Sequence, residues 1–132
     1  MRELGMGRSR QEETIRRYIR AYNAFDIDAM LAVLHDDVRF RNISGGRVNA
    51  EVTGKQDLER LARQSEGLFR TRSQAIRSIR MHGRKAVLEI DFNAVLAKDL
   101  PNGLKAGDSI TLKGRTDFIF RDGLIVSIMD ES

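Results

Sequence analysis

The residues whose types and spacing could do chemistry are few, and they stand in apolar company. Tyr18 and Tyr22 lie one turn apart in the set Ile15, Tyr18, Ile19, Tyr22 and Phe25, which follows the i, i+3, i+4, i+7 rule of a single helix face. A tyrosine on such a stripe either turns its hydroxyl into a pocket or buries its ring and bonds the hydroxyl to a neighbour. Asn42 alternates with Phe40 and Val38, so if Phe40 lines a cavity the Asn42 amide enters it too. A buried amide needs partners, which a ligand or a structural hydrogen bond can supply. Thr116 shares its strand face with Gly114, Phe118 and Phe120, a small, polar and aromatic set that suits a ligand wall and equally suits packing. Hydroxyls and an amide can orient a carbonyl or hydroxyl group, but an amide has no titratable proton acceptor near neutral pH. No convincing base accompanies these residues.

Other residue types with chemical potential read more plainly. His35 titrates in the useful range but stands beside Asp36 and Asp37 where a helix gives way to a strand, which favours a wet surface role. Three consecutive side chains seldom converge on one ion, so "HDD" is not read as a metal site, and no metal or organic cofactor is expected. His82 falls in the turn "HGRK". Glu89 with Asp91, and Asp130 with Glu131, read as solvated or partner-facing carboxylates, the last two with some prospect of closing a pocket mouth.

The elements that must position these residues follow from periodicity. Ser9 and Glu12 have the S-x-x-E form of a capping box, which places the start of a first helix near Arg10. The pattern stops at "FD", and Asp26 or Asp28 can cap a second helix carrying Ile27, Met30, Leu31 and Leu34. After "HDD" the period becomes two, giving a strand through Val38, Phe40 and Asn42, then "SGG" and a short strand "RVNAEVTG". Lys55 to Phe69 returns to helical spacing. Four further strands, Ile76 to Met81, Ala86 to Leu96, Ser109 to Phe120 and Leu124 to Met129, are separated by turn compositions and predict an antiparallel meander. In the second of these Leu88, Ile90, Phe92 and Ala94 share a face. Helices first and strands last predict an α+β fold with the helices on one face of a curved, mainly antiparallel sheet.

At 132 residues the chain suits one domain, expected over 9–132 behind a loose tail of residues 1–8. There is no cysteine, so a disulfide, a thiolate nucleophile and a Cys-bearing zinc site are excluded. The polar start lacks the apolar region of a signal peptide and no window has the apolar length of a membrane span, so a cytoplasmic protein without membrane partners is expected. A net charge of +4 is diluted by mixed acids, and only the segment from Arg70 to Lys85, with Arg72, Arg77, Arg80 and Arg84, is locally basic. It lacks interleaved stacking aromatics, so nucleic acid is not an expected partner.

The element order and the segment "RRYIRAYNAFDIDAMLAVLHDDVRFRNI" resemble the nuclear transport factor 2-like superfamily, in its SnoaL-like and ketosteroid-isomerase-like branch. The restart "DIDAM", the helix start "TGKQDL" and the closing "FIFRDGLIVSI" carry the same resemblance. It implies a cone-shaped, cystatin-like half-barrel with a pocket between sheet and helices, usually in a homodimer. It also implies roles. Tyr18 matches the isomerase's oxyanion-hole tyrosine, Asn42 stands where that enzyme has its catalytic aspartate, and Thr116, or Asp117 after a slip of one residue, stands where it has a protonated aspartate. With two of three groups changed, steroid isomerisation is not expected. The reading is a small-molecule binder with Tyr18 and Asn42 as tentative catalytic groups and Tyr22, Phe40, Phe92, Thr116 and Phe118 as substrate contacts. Any catalysis would be metal-free isomerase, cyclase or dehydratase chemistry on a carbonyl compound. The alternatives are a non-catalytic homodimeric interaction module and, behind it, an anion or nucleic-acid binder.

Overall fold

In a computed structural model that describes residues 7–132, the chain forms three helices and one six-stranded sheet. Helix α1 spans Arg8–Asn23, α2 Ile27–Ala32 and α3 Lys55–Glu66. The strands are β1 Leu34–Ser44, β2 Arg47–Thr53, β3 Phe69–His82, β4 Lys85–Leu96, β5 Ser109–Arg121 and β6 Leu124–Glu131. Most of the expected tail lies outside the described residues, and Arg8 is already helical. The capping box is not used: Gly7 is the N-cap and Ser9 lies inside the helix.

The corner at "FD" is closed by backbone bonds. The Phe25 amide donates to the Tyr22 carbonyl (3.2 Å) and the Asp26 amide to that of Ala21 (2.9 Å), the paired bonds of a Schellman ending. The residue at its left-handed position is Phe25, with φ of 57°, where glycine is usual. Asp26 then caps α2, its Oδ1 accepting from the Ala29 amide at 3.0 Å. Helix α2 ends two residues, about half a turn, before its apolar pattern implies, because Leu34 is already the first residue of β1 and "HDD" lies inside that strand. The third helix likewise stops at Glu66, and Phe69 opens β3 instead of ending α3.

The sheet order is β2-β1-β6-β5-β4-β3, antiparallel throughout except for the β1–β6 pair, so the meander from β3 to β6 returns its last strand beside the first. This is the expected α+β architecture, with N-terminal helices packed on an open mixed sheet. The core lies between them: Ile15 and Ile19 of α1, Leu34 and Val38 of β1, Leu88 of β4, Phe118 and Phe120 of β5, and Ile125 and Ile128 of β6 are buried. Full burial of each such side chain is worth roughly 1.5–3 kcal/mol. Among the described residues no helix is long and apolar enough to cross a membrane.

Candidate functional site

A cavity of about 420 Å³ opens between the helix-bearing face of the sheet and helices α1 and α3, and its lining is mostly apolar. Cross-strand register puts its polar groups in a row. Asn42 on β1 pairs with Asp130 on β6, Asp130 pairs with Thr116 on β5, and Thr116 pairs with Leu88 on β4. Partners in register point to one face and stand about 5 Å apart, so Asn42, Asp130 and Thr116 enter the cavity side by side.

The middle member, Asp130, reads from sequence as a solvated or partner-facing carboxylate that could close a pocket mouth, and it lies in the cavity wall. The hairpin turn Asp122-Gly123, with both residues at positive φ, aligns Arg121 with Leu124 and Phe120 with Ile125. Left unbroken, that register would set Met129 opposite Thr116. An irregularity between Ile119 and Phe120 shifts it by one, so Phe118 meets Ile128 and Thr116 meets Asp130. Asp130 opens onto the cavity and not onto the outer surface, and the Thr116 hydroxyl donates to its Oδ1 at 2.7 Å. Burial raises its pKa to about 6, against a smaller lowering by that single hydrogen bond. A carboxylate poised there is ionised at neutral pH yet a far better proton acceptor than an exposed one.

Of the other expected site residues, Tyr18, Tyr22, Phe40, Asn42, Phe92 and Thr116 line the cavity. Phe118 does not: it is fully buried behind the wall, where its ring meets Tyr18 edge to face at 5.7 Å. Its inward position comes from the same strand face as Thr116, but Tyr18 stands between it and the cavity. Burial, and then the charge of Asp130, raise the Tyr18 pKa, so its hydroxyl stays a neutral donor. Tyr22 shifts upward too, through burial. The Asn42 amide donates to Asn49 Oδ1 across the β1–β2 hairpin at 2.7 Å, leaving its own carbonyl oxygen as an acceptor at the cavity. Thr116, not Asp117, is the inward residue. Asp117 points to the opposite face, held by Arg115 (2.8 and 3.2 Å) and Lys85 (3.4 Å); burial pushes its pKa up, but those partners outweigh it and leave it below the ordinary value.

Arg72 departs furthest from its sequence reading. By sequence it belongs to the locally basic segment from Arg70 to Lys85, yet it is 6% exposed and lines the cavity. Its guanidinium stacks 3.8 Å from the centre of the Tyr22 ring and 4.4 Å from that of Phe25. Its Nε donates to the Tyr22 carbonyl at 2.9 Å. The strip is broken further by ion pairs, Arg77 with Asp91 and Lys85 with Asp117. His35 lies away from the cavity, its Nδ1 accepting from the Asp37 amide at 3.0 Å and its Nε2 3.5 Å from the Asp122 carboxylate. His82 is exposed at the end of β3. Among the described residues no group of three or more His, Cys, Asp or Glu side chains is placed to hold a metal ion.

A family model for the SnoaL-like domain matches residues 15–128, which takes in Tyr18, Asn42 and Thr116 and ends two residues before Asp130. The chain belongs to the SnoaL-like family. Solved structures of the same fold surround this SnoaL-like chain. A candidate polyketide cyclase from Xanthomonas campestris pv. campestris is 23% identical with a TM-score of 0.78, the match covering 95% of this chain and 91% of that one. A candidate SnoaL-like polyketide cyclase from Jannaschia sp. CCS1 is 13% identical with a TM-score of 0.80, over 98% and 90% of the two chains. An LEH-like epoxide hydrolase of M. tuberculosis is 18% identical with a TM-score of 0.75, over 93% and 82%. At these identities the likeness concerns fold. A comparison with curated proteins matches nothing.

Proposed function

We propose that this SnoaL-like domain, acting as one unit over residues 9–132, binds a small, mostly apolar carbonyl compound and moves a proton on it without a cofactor. The observation that carries the reading is Asp130, a carboxylate with its pKa raised to about 6 in an apolar cavity beside hydroxyl and amide groups. In this reading Asp130 removes a proton from the carbon next to the carbonyl, and the electron pair left behind moves into the carbonyl, placing negative charge on its oxygen. The Tyr18 hydroxyl donates to that oxygen, where a low-dielectric wall gives the bond little competition from water. Thr116 fixes the carboxylate, and Asn42 offers its amide carbonyl to a substrate donor. The resulting enolate can be reprotonated at another carbon or can attack a second carbonyl, which are isomerase and cyclase outcomes respectively. The neighbours from Xanthomonas campestris and Jannaschia are candidate polyketide cyclases, which fits the second outcome.

The test uses 2-tetralone, an enolisable ketone small enough for the cavity, incubated with the protein in deuterated buffer. Exchange of its C1 hydrogens above the buffer rate, lost on Asp130→Asn, supports the reading. Exchange no faster than buffer, or unaffected by that substitution, removes it. The chain is further proposed to pair with a second copy through the sheet face opposite the helices, where Ile119 is exposed.

A further inference from the structure

Arg72 has a partner problem that the proton chemistry leaves unsolved. It is a cation almost wholly withdrawn from solvent, and burial lowers its pKa. Its Nε is satisfied by the Tyr22 carbonyl, but among the described residues the buried Nη2 has no hydrogen-bond partner. Among the described residues no carboxylate lies within ion-pair distance of it, and Glu66 acts on it only from longer range. A buried polar atom left unpaired is destabilising, the more so when it is charged.

The surroundings hold the group in place at some expense. Phe25 occupies a left-handed conformation that costs a non-glycine residue on the order of 1–2 kcal/mol, and the result is a second aromatic ring over the guanidinium. Next along β3, Gln74 is tied to Asn23 by two hydrogen bonds, amide to Oδ1 at 2.8 Å and Nδ2 to carbonyl at 3.1 Å, which fixes the end of α1 against the strand that bears Arg72. The cation is thus clamped at its root and faces, on a side chain that lines the cavity.

We propose that Arg72 is a binding residue for a carboxylate carried by the ligand, so that the substrate class is a small apolar keto acid. A single guanidinium already using Nε can neutralise one negative charge, which suits a planar carboxylate better than a phosphate dianion. The register separates the two ends of such a ligand. Arg72 pairs with Ala94 on β4, whereas the Asp130 row reaches β4 at Leu88, three period-two steps away. An anion at the Arg72 end is therefore held apart from the Asp130 charge, and Tyr18 feels the charge of both. This inference rests on the cavity being a ligand site, as the proposed function holds.

The experiment compares 2-naphthylacetate with 2-naphthylacetamide by calorimetric titration at pH 7.5, on the parent, Arg72→Met and Arg72→Lys. The acid is expected to bind the parent at least about tenfold more tightly than the amide, the usual weight of a hydrogen bond to a charged group. Arg72→Met should bring the two affinities together while leaving that of the amide in place, a pattern that loss of a merely structural arginine would not give. If Arg72→Met does not fold, Arg72→Lys decides: it keeps the charge but loses the planar fork, and the preference for the acid should shrink. Equal affinity of the parent for both probes, or a preference that survives substitution, overturns the role of Arg72 and leaves the cavity as a ligand site. Binding of neither probe overturns both.

Discussion

Replacing Asp130 by Asn isolates the one ionisation on which the proposed chemistry depends, and its effect on stability can be worked out without knowing the substrate. The Asp130 pKa rises from an ordinary 3.8 to about 6 on folding. A folded state that holds the proton more tightly than the unfolded chain is favoured while the group is protonated in both, below about pH 4. Stability is then lost as the pH rises from about 4 to about 6, where the unfolded chain has released the proton and the folded one has not. Above about pH 6 the penalty is constant. A shift of about two units corresponds to roughly 3 kcal/mol, and that is a ceiling, because Asp130 opens onto a cavity that can admit water. Asn has nearly the same shape and can still accept from the Thr116 hydroxyl, so the substitution removes the titration and little else.

The expected outcome is that Asp130→Asn is no more stable than the parent at pH 3.5 and gains up to about 3 kcal/mol by pH 7.5, or roughly 10 °C in melting temperature for a chain of this size. Urea melts at several pH values measure the difference directly. Stability curves that run parallel from pH 3.5 to 7.5 would show that Asp130 is not buried as a carboxylate, and the argument for it as a base would go with them. The same pKa fixes the direction of any activity: proton removal should increase with pH and level off above about 6, because the base works only when ionised.

Tyr18→Phe should leave the melting temperature within a few degrees of the parent and weaken 2-tetralone by roughly 0.5–1.5 kcal/mol, the net value of a neutral hydrogen bond; a loss of stability with affinity unchanged would make Tyr18 a packing residue. Asn42→Asp sets a second carboxylate beside Asp130 on the neighbouring strand, and should move the midpoint of the exchange rate above pH 6, since two like charges at that spacing resist joint ionisation. A midpoint that stays in place would separate the two residues. Light scattering across micromolar concentrations should give the mass of two chains, and a monomer mass throughout would remove the pairing of sheet faces.

The fold was legible because its signals are repeated. The stripe from Ile15 to Phe25 and the alternation in β4 each extend over many residues, so one misplaced boundary changes little. The errors lie where a single local event decides. Ser9 and Glu12 carry a capping-box pattern, but backbone geometry put the N-cap at Gly7. Leu34 fits the helical spacing of α2 and the strand equally, and the sheet claimed it through pairing with Ile125. Arg72 falls in a run of arginines on a strand, where composition suggests a solvated face, and only the position of α1 shows that this one turns inward under two rings.

The site was half legible for a related reason. Asn42 and Thr116 follow from asking which strand faces point inward, and that question has a definite answer only while the period of two is unbroken. In β6 it is broken. Ile125 and Ile128 are both buried, an odd separation that an ideal strand cannot produce, and the bulge that allows it also turns Asp130 inward. The spacing of those two isoleucines in "LIVSIMDE" was the available signal: if both belong to the core, the residue two beyond the second must face the core as well. A carboxylate is nevertheless present in the cavity. Asn42 left the expected strand position without a carboxylate, and the structure supplies one from the adjacent strand, in register with Asn42. A sheet row can keep a charge at one place in a cavity while the residue that carries it changes strand. An inventory taken strand by strand will overlook such a group, and one taken across the register will not.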